Sequence, residues 1–185
     1  MNIAALARLL TACVLAVAAS TFVLAQTDED SADEPVTTFD SKNVLGWVEN
    51  VRLYPDRMLM KAKLDPGARS SAIHAEDIEE FMQDDRRMVR FTILKDHDDP
   101  SSDRIVMERP LVREVNIKLR NTDRRDQRPA VRLEFCLAGE RHNTLFTLTN
   151  RSNFNYPILL GRQFLSDRIL VDSSQSFTHK TRCPQ

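Results

Sequence analysis

From Met60 to Leu137 much of the chain alternates apolar and polar residues with a period of two. Met60, Ala62 and Leu64 are separated by Lys61 and Lys63, and Val89, Phe91 and Ile93 by Arg90 and Thr92. Val115, Ile117 and Leu119 alternate with Asn116 and Lys118, and Val131, Leu133, Phe135 and Leu137 with Arg132, Glu134 and Cys136. Successive side chains of a strand point to opposite faces, so this pattern predicts half-buried antiparallel strands. Residues 145–149, 158–160 and 168–171 add three shorter strand candidates. Polar clusters at 95–103 and 121–129 fall between the runs and read as turns. Helix is scarce: residues 75–82 are predicted to make one or two turns, and 161–167 a short C-terminal helix. Many close-spaced strands without a βαβ rhythm argue for an all-β fold, a compact barrel.

The N-terminal end breaks the pattern. Arg8 is the only charge before the uncharged stretch 9–25, and Val23-Leu24-Ala25 puts small residues where signal peptidase needs them. Residues 1–25 therefore read as a signal peptide, with the mature chain starting near Gln26 in the periplasm or outside the cell. Seventeen residues are short for a membrane span, so stable membrane insertion is not expected. Leu10-Thr11-Ala12-Cys13 fits a lipoprotein box only superficially, and lipidation at Cys13 is the minor alternative. Residues 26–40 hold six acids and no base, and 26–42 reads as an acidic, disordered leader. Of 26 basic and 27 acidic residues, one base precedes Gln26 and six acids lie in the leader. Residues 43–185, one domain of ordinary size, thus carry a mild positive balance that implies no strong partner.

Export leaves two cysteines, Cys136 and Cys183. An even pair in an oxidising compartment is a disulfide candidate that would pin the C-terminus to the sheet. The alternative makes Cys136 a small core residue and Cys183 a tail thiol.

The chemistry-bearing stretch is Leu64-Asp65-Pro66-Gly67-Ala68, taken with Ile158-Leu159-Leu160-Gly161-Arg162. The first resembles the Asp-Thr/Ser-Gly-Ala loop of aspartic peptidases, and the second the retroviral-type half-signature, a buried strand passing behind that loop into a short helix. Gly46-Trp47-Val48, the run from Lys61 to Ala75, Leu148-Thr149-Asn150-Arg151 and Leu159-Leu160-Gly161-Arg162 together resemble one bacterial group. These are retropepsin-like aspartic peptidases, historically labelled ATP-dependent zinc proteases and often found near glutamate-ligase genes. The resemblance covers residues 43 to 173.

The resemblance implies a retropepsin-like barrel and a two-carboxylate site in which the aspartates share one proton. This chain carries one such Asp, so a peptidase would be a homodimer with Asp65 from each subunit. Gly67 is expected to adopt dihedrals other residues avoid and to offer its N–H to Asp65. Pro66 departs from the family: the usual Thr locks the two loops through its hydroxyl, and Pro lacks both hydroxyl and N–H. It does favour an extended Asp65. Gly161 and Arg162 are expected to support the loop. In retroviral enzymes that Arg pairs with an acid beyond the loop, whereas here Arg69 stands in that neighbourhood. Arg162 therefore finds another acid or faces solvent. The loop 95–103, about thirty residues past Asp65, is expected to be a flap over the groove.

His74, His97, His142 and His179 are scattered, without His-Glu-x-x-His or Cys-x-x-Cys, and no Gly-rich phosphate loop is present. Neither a metal, ATP nor any other cofactor is expected. His74 follows the loop and is the best functional candidate of the four, its ordinary role being a structural hydrogen bond. The basic cluster Lys118, Arg120, Arg124, Arg125, Arg128 and Arg132 lacks interleaved aromatics and reads as a solvated hairpin tip, not a nucleic-acid surface. Two functions remain: an exported homodimeric aspartic endopeptidase cutting peptides or envelope proteins, or an inactive module of the same fold that grips an extended peptide.

Overall fold

The computed structural model describes residues 42–96, 98–99, 101–118 and 125–183. The predicted signal peptide and all of the leader but Lys42 lie outside them, as do His97, Arg120 and Arg124. Lys42 is tied down, its Nζ donating to the Ser166 carbonyl.

The alternating runs form strands. In chain order these are β1 (Asn43–Leu53), β2 (Met58–Asp65), β3 (Ser71–His74), β4 (Glu76–Gln83), β5 (Arg86–Leu94) and β6 (Arg104–Pro110). They continue with β7 (Arg113–Lys118), β8 (Arg125–Leu137), β9 (Glu140–Thr149) and β10 (Ile158–Gly161), the helix α1 (Arg162–Leu165), and β11 (Ile169–Ser176). Hydrogen bonding runs β11-β1-β2-β10-β3-β9-β8-β7, and a further pairing of β1 with β8 closes β1-β2-β10-β3-β9-β8 into a six-stranded barrel. The fold is the expected all-β barrel with one short helix. Closure removes the open edge a sheet would otherwise present.

Alternation decides what fills the barrel. Met58, Met60, Ala62 and Leu64 of β2 face inward against Val51, Leu53, Leu133, Phe135, Phe146 and Leu148, all buried. Phe164 and Leu165 of α1 join this core, Phe164 stacking at 5.4 Å from Phe135. The complementary residues of β2, namely Leu59, Lys61, Lys63 and Asp65, keep partial exposure.

Residues 75–82 are not helical. They form β4 in a separate three-stranded sheet, β4-β5-β6. The local run Ala75-Glu76-Asp77-Ile78-Glu79-Glu80 favours helix weakly, and cross-strand charge overrides it. Arg90 reaches Glu79 and Glu108, and Arg87 bridges Glu80 and Glu114. Asp77, at φ 49°, breaks the register and accepts from Thr92 Oγ1.

The described residues of the loop 95–103, all but His97 and Pro100, gather beside Leu59–Lys61 of β2 and not about Asp65. They line a cleft of about 530 Å³ with Asn50, Leu59, Lys61, Asn155 and Pro157. Lys61 lies four residues before Asp65, roughly 13 Å along the strand. The separate three-stranded sheet carries this turn to the wrong end of β2 for a flap.

Candidate active site

β2 delivers Asp65 to the point where the strand gives way to a turn. The Ala68 N–H donates to the Asp65 carbonyl at 3.2 Å, closing the turn, and the Gly67 N–H donates to Asp65 Oδ1 at 3.0 Å. Lys63, on the same face of β2, places Nζ 3.1 Å from Oδ2. Asp65 stays extended, while Pro66 and Gly67 are exposed. The Asp65 side chain keeps 24% of its surface. Burial pushes its carboxyl up, but the hydrogen bond and charge of Lys63 and the amides of Gly67 and Ala68 outweigh this and hold it below the usual value.

Gly67 corrects one expectation. Its φ is not among the left-handed values found for the described residues, where Gly139 is the glycine with positive φ. What disfavours a side chain is contact: a Cβ there would sit 3.2 Å from Asp65 Oδ1 and push the carboxylate aside by a few tenths of an ångström.

The loop rests on β10 and α1. Parallel pairing of β10 with β2 puts Gly161 opposite Asp65. A Cβ on Gly161 would approach the Ser70 carbonyl carbon and oxygen to 2.6 Å, so only glycine lets the strand pass behind the loop. The Gly161 N–H donates to Ser71 Oγ. The first amides of a helix have no partner within it; here Arg162 N–H donates to the Ala68 carbonyl at 2.8 Å and Gln163 N–H to that of Arg69 at 3.1 Å. The exposed Arg162 side chain takes neither expected course alone, for its Nη1 lies 3.3 Å from the Gly67 carbonyl as donor. A carbonyl stands where the retroviral resemblance implied an acid.

Two groups near Asp65 carried no assigned role in the sequence. One is Lys63, which there only marked the polar face of β2. The other is Arg151, which follows β9 and is 6% exposed. Its Nε donates to the Tyr156 carbonyl and its guanidinium lies over the Phe154 ring. Burial pushes Arg151 down to about 10, with Arg128 of β8 adding repulsion and Asp65 acting in the opposite direction. Tyr156 also meets Trp47 edge-on at 5.8 Å. A buried arginine cannot be told from a surface one by spacing, and only the family pattern at Leu148–Arg151 singled it out.

His74 holds a structural place. It is fully buried in β3, and its Nδ1 accepts from the Arg151 N–H at 2.9 Å. Cys136 of β8 and Cys183 are joined by a disulfide, Cα–Cα 5.9 Å. Among the described residues no group of three His, Cys, Asp or Glu side chains is placed to hold a metal ion.

An aspartate at an open turn, a glycine-only strand behind it and a helix capping the loop make one composite unit. The RimB-like family of retropepsin-like aspartic endopeptidases matches residues 44–182. This chain belongs to that family. Residues here are 36% identical over 120 positions to a Shewanella pealeana protein named "Probable alpha-L-glutamate ligase", covering 64% of this chain. A Parasynechococcus marenigrum protein of the same name is 34% identical over 120 positions, covering 63% of this chain and 25% of its own. The chain spans about a quarter (25%) of the length of such relatives. A solved Legionella pneumophila protein of unknown function superposes with TM-score 0.64 at 32% identity, over 76% of this chain and 100% of that one.

Proposed function

We propose that this RimB-like chain is an exported endopeptidase that acts as a homodimer, each subunit contributing Asp65. The observation that carries the reading is the Asp65 carboxylate, partly exposed, aimed by the Gly67 N–H and backed by Gly161. Two such carboxylates meeting at a twofold axis share one proton, because like charges in contact resist double ionisation. The ionised Asp65 takes a proton from water, whose oxygen attacks the peptide carbonyl carbon, while the protonated one gives its proton to the carbonyl oxygen. Collapse of the tetrahedral intermediate breaks the C–N bond, and the amine leaves with the proton taken from water. Export rests on the signal-peptide pattern of residues 1–25.

The substrate proposed is an extended peptide with acidic side chains. Arg151 supplies a buried guanidinium that feels the charge of Asp65, and the matched relatives bear the name of a glutamate ligase. The second reading, a binding module without catalysis, is favoured by Pro66, which takes away the hydroxyl lock. The test is cleavage of peptide libraries, including glutamate-rich ones, from acidic to neutral pH, alongside sizing in solution. The peptidase reading expects a dimer whose activity falls by about a thousandfold or more in Asp65→Asn and rises in Pro66→Thr. A strict monomer, or cleavage by neither wild type nor Pro66→Thr, overturns it in favour of the binding module.

A further inference from the structure

Lys63 stands two residues before Asp65 in the same strand, so both side chains leave β2 on one face. Its ammonium reaches Oδ2 at 3.1 Å while Gly67 N–H occupies Oδ1. Each carboxylate oxygen thus has its own donor from within the subunit. Lys63 is the charge that acts directly on the Asp65 carboxyl, and neighbouring elements carry further cations. Arg151 comes from the segment after β9, with Arg128 of β8 behind it, and Arg162 comes from α1 through the Gly67 carbonyl. Arg69 lies exposed in the loop itself.

We propose that Lys63 is a positioning residue that fixes the Asp65 carboxylate in its ionised form and so sets the pH range over which a pair of these aspartates holds its shared proton. This rests on the dimeric peptidase reading above. Two bare carboxylates in contact keep one proton because ionising both sets like charges against each other. An ammonium on each carboxylate offsets that repulsion. The doubly ionised, unreactive form is then reached at lower pH, and the singly protonated form is confined to acidic solution. The direction agrees with the depressed Asp65 carboxyl noted above.

The experiment compares wild type, Lys63→Met and Lys63→Arg by carboxyl carbon NMR titration of Asp65, with Asp65→Asn used to assign the signal, and by the pH dependence of kcat/KM on a cleaved peptide. Lys63→Met should move the Asp65 midpoint and the high-pH limit of kcat/KM upward together, by roughly one pH unit. Lys63→Arg should restore both toward wild type. An unmoved Asp65 midpoint in a folded Lys63→Met protein overturns the proposal. So does loss of cleavage at every pH in Lys63→Met with wild type active, which would make the ammonium itself the proton donor. A midpoint that moves in a protein cleaving nothing supports the Lys63–Asp65 coupling and sinks the peptidase reading instead.

Discussion

Asp65 and Glu49 are carboxylates on neighbouring strands of one barrel, and both accept hydrogen bonds from backbone amides. Their surroundings differ sharply. Glu49 is 0% exposed, and its Oε1 accepts from Gly46 N–H at 2.9 Å, Thr178 N–H at 2.9 Å and Thr178 Oγ1 at 2.5 Å. Its Oε2 lies 3.5 Å from the His179 N–H. Asp65 has one amide on Oδ1, one lysine on Oδ2, and an open side. A buried carboxylate with its acceptor positions taken up is a structural fastening, because nothing is left to meet a substrate. One held from beneath and open above keeps a face that a second molecule can meet. The number of donors and the direction of the opening separate the two roles; residue type does not.

The contrast breaks first at Glu49. Glu49→Ala orphans the Gly46 and Thr178 donors inside the fold and should destabilise the protein by about 3–5 kcal/mol in chemical denaturation. A loss below about 1 kcal/mol would mean that the clamp is dispensable. Next comes the disulfide, which closes a loop across a sequence separation of 47 and fixes the same tail. Replacing Cys136 and Cys183 by Ser should lower stability by about 2–4 kcal/mol. Combined with Glu49→Ala, the sum should fall short of additivity because one tail is released only once. Asp65→Asn lies at the small end, within about 0.5 kcal/mol at neutral pH, as for a partly exposed group. Its signature is pH dependence. The folded carboxyl lies below its unfolded value, so its contribution is full above the unfolded value and disappears as pH falls through the folded one. Acid-unfolding curves of wild type and Asp65→Asn should therefore converge at the lowest pH and separate slightly above it.

The same contrast shows how far the sequence reaches. The Asp65 loop, the strand behind it and the helix beneath it were legible because each is a short contiguous pattern: Leu64–Ala68, and Ile158 to Arg162. The strands of alternating residues were legible for the same reason. Glu49 was not, since apart from the Gly46 amide its donors lie 129 or 130 positions away, and an acid beside Val48 looks like any polar-face residue. β4 was misread as helix because its stabilising partners, Arg87 and Arg90, belong to the following strand. The expected flap failed for a topological reason: β4-β5-β6 form their own sheet, and no local signal announces where a sheet divides. Arg162 took the Gly67 carbonyl because the loop's geometry, not a nearby acid, offered an acceptor.

One pairing has a bearing on how the chain acquires its shape. β1 begins against β11, Asn43 opposite Ile169, and Phe177 N–H reaches the Val48 carbonyl. The loop around Asp65 likewise waits for Gly161 and Arg162, up to 95 positions onward. During synthesis, the first half of β1 therefore waits on this side for residues 169–176, although its last residues, Arg52 and Leu53, meet β8 earlier. Contacts this distant in sequence make folding slow, and the Asp65 loop has no half-built form. Its seat is set only once residues 161–163 have come to lie behind it.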